Sequence, residues 1–482
     1  MTTFLIGLVI LFVGGALYGK FCERVFRPDD RQTPAYRLED GVDYVPMKSW
    51  KNSLINLLNI AGTGPILGPI QGILFGPIAF ITIPIGCVIG GAMHDYFSGM
   101  LSLRNDGEQM PALVRRFTNK GIFNIYNIFV TLLMFLVGAV FIYTPGDIAA
   151  TQLFGFSGAV DAPSTWIIYA VIFAYYLAAT VFPIDKVIGR IYPIFGAILL
   201  FSAIGVFIGL FTKGYQLDNF TGVITQDHFI PVFFITVACG ILSGFHSTQT
   251  AIIARSVNTE KEGRMTFYNM MILEGFIAMI WAAAAMGAYN GGLATVGETG
   301  ATAVVGIVAK DMLGSVGGFL AILGVIVLPI TSGDTALRSA RLMIADWLHI
   351  DQKDYKKRLG LSAVIFAVVA VVLYWSKSNP NGFTILWRYF AWSNQTIALF
   401  ALAIISIYLI QNRGGLYFLI PLLPGMFYAF VTFSFICNAK IGFNLPWGIA
   451  YALGAVFAAA YAGVTVWSGK KRAAANPIKA DV

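Results

Sequence analysis

The stretch Asn59-Ile-Ala-Gly-Thr-Gly-Pro-Ile-Leu-Gly-Pro69 interrupts an apolar segment, residues 53 to 75, that is long enough to cross a membrane. Proline lacks an amide donor and clashes with the preceding helical turn, and glycine has a low helix propensity. We therefore expect the helix to break around four positions, Gly62, Thr63, Gly64 and Gly68. Unpaired backbone groups are tolerated in a membrane only against protein or a water-filled cavity, so the break predicts an enclosed polar site.

A second interrupted stretch, Cys239-Gly-Ile-Leu-Ser-Gly-Phe-His-Ser-Thr-Gln-Thr250, lies within the apolar segment 229 to 254. Its glycines weaken the helix and its hydroxyl, imidazole and amide side chains make it polar. The residues of this stretch that we expect to contribute to a binding site, together with those of the first break, are Gly240, Ser243, Gly244, His246 and Gln249. The alternative interpretation is that the glycines only allow close helix packing and the prolines only kink their helices.

The composition excludes a soluble globular enzyme. Apolar residues make up 57% of the 482 residues and charged residues 12%, with a mean hydropathy of +0.74, whereas soluble domains carry about 25% charged residues. The net charge of +8 is scattered in short clusters, so we expect no nucleic-acid partner. The four cysteines are far apart and form no C-x-x-C pair, so neither a disulfide framework, a transition metal nor a cofactor is expected.

The hydropathy pattern predicts an all-α polytopic membrane protein with about thirteen transmembrane helices. The run from Thr3 to Gly19 is interpreted as a retained span, because its basic residues follow it instead of preceding it as in a signal peptide. Residues 300 to 312 are too few to cross and are expected to pack in a loop. The predicted spans are 3–19, 53–75, 77–103, 121–143, 165–183, 190–211, 229–254, 267–288, 315–333, 358–376, 387–411, 415–437 and 445–468.

The distribution of basic residues supports this map. Of the 32 lysines and arginines, 27 fall in alternate loops and the C-terminal tail. Cytoplasmic loops are rich in such residues, so we expect the N-terminus outside and the C-terminus in the cytoplasm. Within the loop 334 to 358, five apolar residues recur at helical spacing, which predicts an interfacial amphipathic helix. They are Leu337, Ala340, Met343, Ile344 and Trp347.

The two interrupted spans are five spans apart, so they enter the membrane from opposite sides. We therefore expect an inverted repeat: residues 53–211 form the first five helices and residues 229–411 the second, flanked by an N-terminal helix and linker (1–52) and two accessory helices (412–482). Paired broken helices at matching positions indicate the binding site of a secondary transporter. Exposed helix N-termini suit a carboxylate, and freed carbonyls suit a small cation.

Ionisable residues inside predicted spans cost at least about 2.5–3.5 kcal/mol at the membrane centre, so they are functional candidates. His246 lies within the second break and is interpreted as facing the substrate. An alternative interpretation of Asp95 and Asp334 is that they form structural ion pairs with arginines such as Arg104 or Arg338. The candidates for a proton relay are His94, Asp95, Glu274 and Asp334.

Several motifs resemble the carbon starvation protein A family: Lys48-Ser-Trp-Lys51, the first break, Gly91-Ala-Met-His-Asp-Tyr-Phe97 and Leu328-Pro-Ile-Thr-Ser-Gly-Asp-Thr-Ala336. The resemblance implies an inner-membrane transporter of peptides or, for some members, of pyruvate with protons. It also implies the LeuT-type inverted-repeat fold. By analogy with sodium-coupled proteins of that fold, it implies a cation site in which hydroxyls face backbone carbonyls, made by Ala61, Gly64, Thr331 and Ser332. The alternative is that these hydroxyls bond back to their own helix.

The sequence thus predicts a symporter, coupled to Na⁺ or H⁺, that imports a small carboxylate or short peptides through the lipid bilayer by alternating access. A passive channel is the alternative. An intramembrane protease is disfavoured, because Gly240-Ile-Leu-Ser-Gly244 is one residue longer than a G-x-S-G motif and Thr331 replaces the first glycine of G-x-G-D. We therefore expect a protein without enzymatic activity. The oligomeric state is left open.

Overall fold

A computed structural model gives the fold. The structure describes residues 1–41, 43–181, 185–220, 225–289, 293–351 and 354–475, without the side chains of 180–181, 185–193, 293–294, 331, 334, 335 and 346. This described part of the chain is helical and contains no strand. Its principal helices are α1 Thr2–Phe26, α2 Ser49–Ile60, α3 Gly64–Phe75, α4 Ala79–Arg104, α5 Met110–Phe117, α6 Lys120–Leu153, α7 Pro163–Val181, α8 Asp185–Thr212, α9 Ala238–Ile241, α10 Gly244–Ala254, α11 Glu260–Ala288, α12 Ala301–Trp347, α13 Tyr355–Ser378, α14 Gly382–Asn412, α15 Leu419–Asn438 and α16 Trp447–Ala475.

Both predicted helix breaks are confirmed. The helices α2 and α3 meet at an angle of 48°, with Ala61 leaving the helical region at φ −83° and ψ 61°. The second segment begins with two short helices, Phe229–Phe233 and Phe234–Thr236, which precede α9. Leu242 and Ser243 are extended and separate α9 from α10. Glycine and proline chemistry therefore located the interruptions correctly.

The predicted count of thirteen spans is not confirmed. Among the described residues, ten helices are long and apolar enough to cross a membrane, or eleven if the bent pair α2 and α3 is one span. The apolar part of α7 is shorter, and the segment 229 to 254 is divided into short helices. A hydropathy window averages across such breaks, so it counted these segments as full spans.

Two local expectations were wrong. Residues 300 to 312 were expected to pack in a loop, but α12 begins at Ala301 and bends at Gly314, which has a φ of 69°. This left-handed conformation strains residues with a side chain and suits glycine. The expected interfacial helix is the continuation of α12. Of its apolar face, Leu337, Ala340 and Ile344 are buried in protein, whereas Met343 and Trp347 remain partly exposed. Helical periodicity marks a buried face but does not identify what covers it.

The helices are arranged around α11. Its most apolar stretch is 89% buried, whereas the most apolar stretch of α16 is only 22% buried. The broken helix α3 packs against α9, α11 and α12, and α10 packs against α4 and α14. The helices α14, α15 and α16 pack together, and α6 contacts both α12 and α14. The two breaks therefore lie in the protein interior and not at the lipid surface.

An ionic network closes one end of this interior. Arg104, at the end of α4, donates two hydrogen bonds of 2.8 Å to the buried carboxylate of Glu260. It also donates to Tyr408 Oη on α14 at 2.9 Å and to the carbonyl oxygen of Arg27 at 2.7 Å. Its guanidinium lies 4.1 Å from the ring centroid of Phe26 on α1. One side chain thus joins α1, α4, α11 and α14.

Candidate functional site

The two helix breaks meet at one small internal cavity. Its volume is about 10 Å³, which is close to the minimum that holds one water molecule. The lining comes from both breaks and from α6 and α14. The lining residues are Asn59, Ile60, Gly62, Gly64, Phe141, Cys239, Ser243, Phe245, His246, Phe390 and Asn394.

The first break has few polar contacts of its own. Thr63 precedes α3 and is fully buried, yet its hydroxyl has no hydrogen-bond partner among the described residues. A Cβ atom at Gly64 would lie 2.4 Å from Cβ of Cys239, so this glycine allows the two breaks to touch. A Cβ atom at Gly62 would meet only the Phe141 ring, at an ordinary distance of 3.6 Å.

The second break is held by Asn394 of α14. Its Oδ1 accepts a 2.7 Å hydrogen bond from the amide of Phe245, at the start of α10. Its Nδ2 donates to Ser243 Oγ at 3.0 Å. A Cβ atom at Gly244 would lie 2.4 Å from the carbonyl oxygen of Asn394 and 2.5 Å from the amide nitrogen of Ala398. This glycine therefore allows direct backbone contact between α10 and α14.

Two further side chains of α14 bind carbonyls of the short helices before α9. Gln395 Nε2 donates to the carbonyl oxygen of Phe234 at 2.8 Å, and Trp387 Nε1 donates to that of Thr236 at 3.0 Å. Interrupted helices leave carbonyls without an intrahelical partner, and burial makes such groups costly. The helix α14 thus supplies hydrogen bonds on both sides of the second break.

A cluster of four buried ionisable side chains adjoins the cavity. Asp95 Oδ1 lies 2.8 Å from His94 Nδ1, and Asp95 Oδ2 lies 2.9 Å from His246 Nδ1. His246 Nε2 lies 3.4 Å from Glu274 Oε2. All four side chains are at most 1% exposed. His246 therefore contacts both carboxylates and also lines the cavity.

Local helix irregularities place this cluster. A π-helical turn, Cys87–Ala92, comes directly before His94 in α4, and another, Arg264–Asn269, precedes Glu274 in α11. Such turns change which side chains face inward and are frequent at functional sites. A Cβ atom at Gly91 would lie 2.3 Å from the carbonyl oxygen of Ile241, so glycine lets α4 approach the second break.

The cluster has a charge balance that depends on protons. With both carboxylates ionised, one protonated histidine leaves a net negative charge in a site without solvent access. Burying an uncompensated charge costs several kcal/mol, so a further proton or cation is favoured there. Neither oxygen of Glu274, nor Nε2 of His94, has a hydrogen-bond partner among the described residues.

The sequence model of the carbon starvation protein CstA family matches residues 1–208, 146–303 and 280–435 of the chain. These ranges cover most of its length. The chain belongs to the CstA family.

Relatives of this CstA family member include peptide transporters. The protein named peptide transporter CstA of Bacillus subtilis is 24% identical over 90% of this chain and 89% of its own length. The protein of that name in Escherichia coli K12 is 23% identical, over 86% and 78%. A protein of Haemophilus influenzae, named an uncharacterized membrane protein, is 41% identical over 60% of this chain and 92% of its own length.

The fold of this CstA family member is also found in a solved transporter. The crystal structure of an Eremococcus coleocola manganese transporter mutant matches with a TM-score of 0.57 and 11% identity, covering 88% of this chain and 94% of that one. At this identity the similarity concerns the fold. Among the described residues of the present chain, no three His, Cys, Asp or Glu side chains are grouped so that they could hold a metal ion.

The structure of this CstA family member brings many of the predicted site residues together. Gly62, Gly64, Ser243 and His246 line the cavity, and His94, Asp95 and Glu274 form the adjoining cluster. The predicted alternative pairing of Asp95 with Arg104 is wrong, since Arg104 binds Glu260 and Asp95 binds the two histidines. Intervening helical turns separate Asp95 from Arg104 within α4.

Other predicted residues lie beside the cavity or outside the described structure. A Cβ atom at Gly68 would lie 3.0 Å from the carbonyl oxygen of Thr236, and one at Gly240 would lie 2.9 Å from Cβ of Ala278, so both glycines serve close packing. The Gln249 amide donates to Thr248 within α10. Ala61 and Ser332 are buried. The side chains of Thr331 and Asp334 lie outside the described residues.

Three further residues, Asn394, Phe141 and Phe390, line the cavity but were not among the predicted site residues. Asn394 stands next to Gln395 in an otherwise apolar helix, and a polar pair inside a span is a usable signal. The two phenylalanines, whose ring centroids are 6.3 Å apart, look like ordinary core residues in the sequence. Only the packing of α6 against α14 places them here.

Proposed function

We propose that this CstA family member is a secondary transporter of the inner membrane that imports a small carboxylate such as pyruvate, or a short peptide, in symport with a cation. The observation that carries the proposal is the meeting of two helix breaks, distant in sequence, at one buried cavity. The names of the peptide-transporter relatives support a peptide as the substrate.

The proposed architecture is a LeuT-type inverted repeat of residues 53–211 and 229–411. Each half then begins with a broken helix, and the two breaks face each other. The proposed topology has thirteen spans, with the N-terminus outside and the C-terminus in the cytoplasm. The similarity to a solved transporter over most of both chains is consistent with a transporter fold.

The proposed substrate contact is electrostatic. The helices α3 and α10 both begin beside the cavity, at Gly64 and Gly244. Helix N-termini carry a partial positive charge and unpaired amides, which bind carboxylates. In the present conformation Asn394 Oδ1 accepts a hydrogen bond from the amide of Phe245. We propose that a substrate carboxylate binds at the N-terminus of α3 when the site opens, while Asn394 Oδ1 keeps its hydrogen bond from the amide of Phe245.

Transport requires the site to enlarge. A cavity of about 10 Å³ has no room for pyruvate or a dipeptide. The present conformation is therefore closed around the breaks, and Phe141 and Phe390 must separate from α3 to admit a substrate. Alternating access would open this volume first to one side of the membrane and then to the other.

We propose protons as the coupling ion. His246 lines the cavity and contacts Asp95 and Glu274 at once, so an anionic substrate beside it would alter the charge that the cluster must balance. Protons then bind to the cluster as a unit instead of to one residue. Substrate and proton would enter together because each compensates the charge of the other.

Sodium coupling is a second candidate. The helix α12, which carries Thr331 and Ser332, packs against α3, close to the chain segment of Ala61 and Gly64. Hydroxyl and carbonyl oxygens from these two helices are of the type that binds a hard cation.

The test is uptake into proteoliposomes that contain the full chain, with labelled pyruvate or dipeptide and with pH and sodium gradients imposed separately. Proton coupling predicts uptake driven by an inward proton gradient without sodium. Asp95→Asn should reduce it about 10- to 100-fold, the loss expected from a charged hydrogen bond. Uptake driven only by sodium and abolished by Ser332→Ala would favour the second candidate. Uptake indifferent to both gradients would indicate a channel.

The matched control is His228→Gln. His228 contacts Tyr451 and Trp447 outside the cluster, so its replacement should leave uptake unchanged, whereas His246→Gln should abolish the proton dependence. Equal losses from both substitutions would contradict the proposed role of His246.

A further inference from the structure

A long apolar groove of about 640 Å³ lies between α6, α14, α15 and α16, away from the cavity. Apolar side chains dominate its walls, for example Ile122, Phe129, Ile407, Phe457 and Val464. Along α14 it extends from Trp392 to Ile407, about 22 Å at the helical rise per residue. This exceeds half of the roughly 30 Å hydrocarbon thickness of a bilayer. The groove therefore has the length and the polarity to hold an acyl chain.

Basic residues gather at one end of the groove, where Thr118 and Ser468 line it. Arg472, one turn beyond Ser468, donates a 2.7 Å hydrogen bond to the carbonyl oxygen of Arg116. The Arg472 guanidinium lies 5.1 Å from the ring centroid of Phe117, and Lys471 Nζ lies 5.1 Å from that of Trp467.

Most of these charges lack an acidic partner. Arg116 pairs with Glu108, but Arg115, Lys471 and Arg472 form no ion pair with any described residue. Arg472 Nε is buried and has no hydrogen-bond partner in the described part of the chain. A desolvated guanidinium nitrogen at the mouth of a groove is a strong site for an anionic oxygen.

We propose that the groove and its basic end form a binding site for an anionic phospholipid. The phosphate would bind Arg472 and Lys471, and one acyl chain would lie in the groove. Basic pockets between transmembrane helices bind anionic headgroups in this way. The site is independent of the substrate cavity.

The charge distribution favours a lipid over a second copy of the chain. In a two-fold dimer around an axis normal to the membrane, the same surface contacts itself. The basic ends of the two grooves would then lie close together and repel each other. A lipid phosphate instead neutralises this charge.

Lipid binding would act on the helix that holds the second break. Thr396 and Leu399 of α14 line the groove, whereas Asn394 and Gln395, directly before Thr396, bind the interrupted segment. A lipid in the groove therefore supports α14 from the side opposite the substrate cavity.

The test is native mass spectrometry of the full chain in detergent, titrated with phosphatidylglycerol or phosphatidylcholine of identical acyl chains. We expect about 10-fold tighter binding of phosphatidylglycerol, the effect of one to two basic contacts. Lys471→Gln together with Arg472→Gln should remove this preference. Ala460→Phe, which fills the groove, should weaken the binding of both lipids.

Two controls separate the site from general effects. Lys356→Gln with Lys357→Gln removes two exposed charges elsewhere, and Val456→Phe adds a ring on an exposed face of α16 outside the groove. Both should behave as the unmodified protein. If Ala460→Phe does not fold, judged by its thermal melting, Ala403→Phe on α14 replaces it.

Equal binding of the two lipids, or a preference that survives the double substitution, would overturn the headgroup assignment. Unchanged binding after the groove is filled would overturn the acyl-chain assignment. A stable dimer, with the groove covered and lipid binding absent, would show that a second copy occupies this surface.

Discussion

The two helix breaks adjoin the same cavity but are held in different ways. Between α2 and α3, Ala61, Gly62 and Thr63 separate the helices, and the buried Thr63 hydroxyl has no hydrogen-bond partner among the described residues. Between α9 and α10, Asn394 binds Ser243 and the amide of Phe245. The first break is thus set by local backbone chemistry, and the second by hydrogen bonds from another helix.

This difference separates a stationary part from a moving part. The hydrogen bonds from Asn394, Gln395 and Trp387 join the second break to α14. The first break has glycines on both sides of Thr63 and fewer polar contacts, so less must be broken to change its bend. We therefore expect α2 and α3 to move relative to α14 while α10 remains attached to it.

The largest effect is expected from Gly244→Ala compared with Gly62→Ala. The added methyl group at 244 would clash with the backbone of Asn394 and Ala398, which cannot shift without moving α14. Overpacking of this kind costs about 3 kcal/mol. Gly62→Ala has ordinary space and should cost well under half of that. Thermal unfolding in detergent measures both, and equal losses would contradict the distinction between the breaks.

A smaller effect is expected from Asn394→Leu compared with Thr63→Val. Loss of the asparagine leaves the buried amide of Phe245 and the hydroxyl of Ser243 without this partner, a cost of about 2 kcal/mol. Thr63→Val removes a hydroxyl that has no hydrogen-bond partner among the described residues, so the free energy of unfolding should change by no more than about 0.5 kcal/mol. Denaturation midpoints of the two variants test the comparison. A larger loss for Thr63→Val would show that the first break depends on this hydroxyl.

Gly91→Ala and Gly90→Ala test whether α4 also holds the second break. A Cβ atom at Gly91 would lie 2.3 Å from the carbonyl oxygen of Ile241, whereas at Gly90 the closest atom is 3.7 Å away. We expect a loss of about 1–2 kcal/mol for the first substitution and little change for the second. Thermal unfolding of the two variants in detergent measures the difference. If both variants melt like the unmodified protein, α4 does not constrain the break.

The smallest effect is a difference in dynamics within the unmodified protein. Amides at residues 61 to 64 should exchange with deuterium about 10-fold faster than the amide of Phe245, because an opening that costs about 1.4 kcal/mol less is 10-fold more populated. Peptide-level exchange in detergent, followed by mass spectrometry, gives the comparison. Faster exchange around residue 245 would reverse the assignment of the moving and stationary parts.

The sequence predicted the first break because its cause is local: glycine and proline disfavour a helix wherever they stand. It predicted the second from Gly240, Gly244 and the polar side chains after them, but not the hydrogen bonds from α14 that hold it. It also identified Asp95, His246 and Glu274, since ionisable residues are rare inside membrane spans. Their mutual contacts could not be predicted. Asp95 and His246 are 151 positions apart, and the π-helical turn before His94 decides which face of α4 points inward.

The ends of the helices were also hard to predict. The hydropathy of residues 301 to 313 does not show that they join the next helix through Gly314, because that depends on one left-handed residue. Similarly, Arg104 has a choice of acidic partners in the sequence. The structure selects Glu260 because the start of α11 is brought beside the end of α4.

The network around Arg104 has a consequence for how that end of the molecule opens. Four helices share a single guanidinium, so no helix can leave without disturbing the contacts of the other three. Release is therefore expected to be all-or-none, with the partners lost together. Removing Tyr408 and Glu260 in combination should accordingly cost less than the sum of the separate losses, since the first removal already frees the common ion.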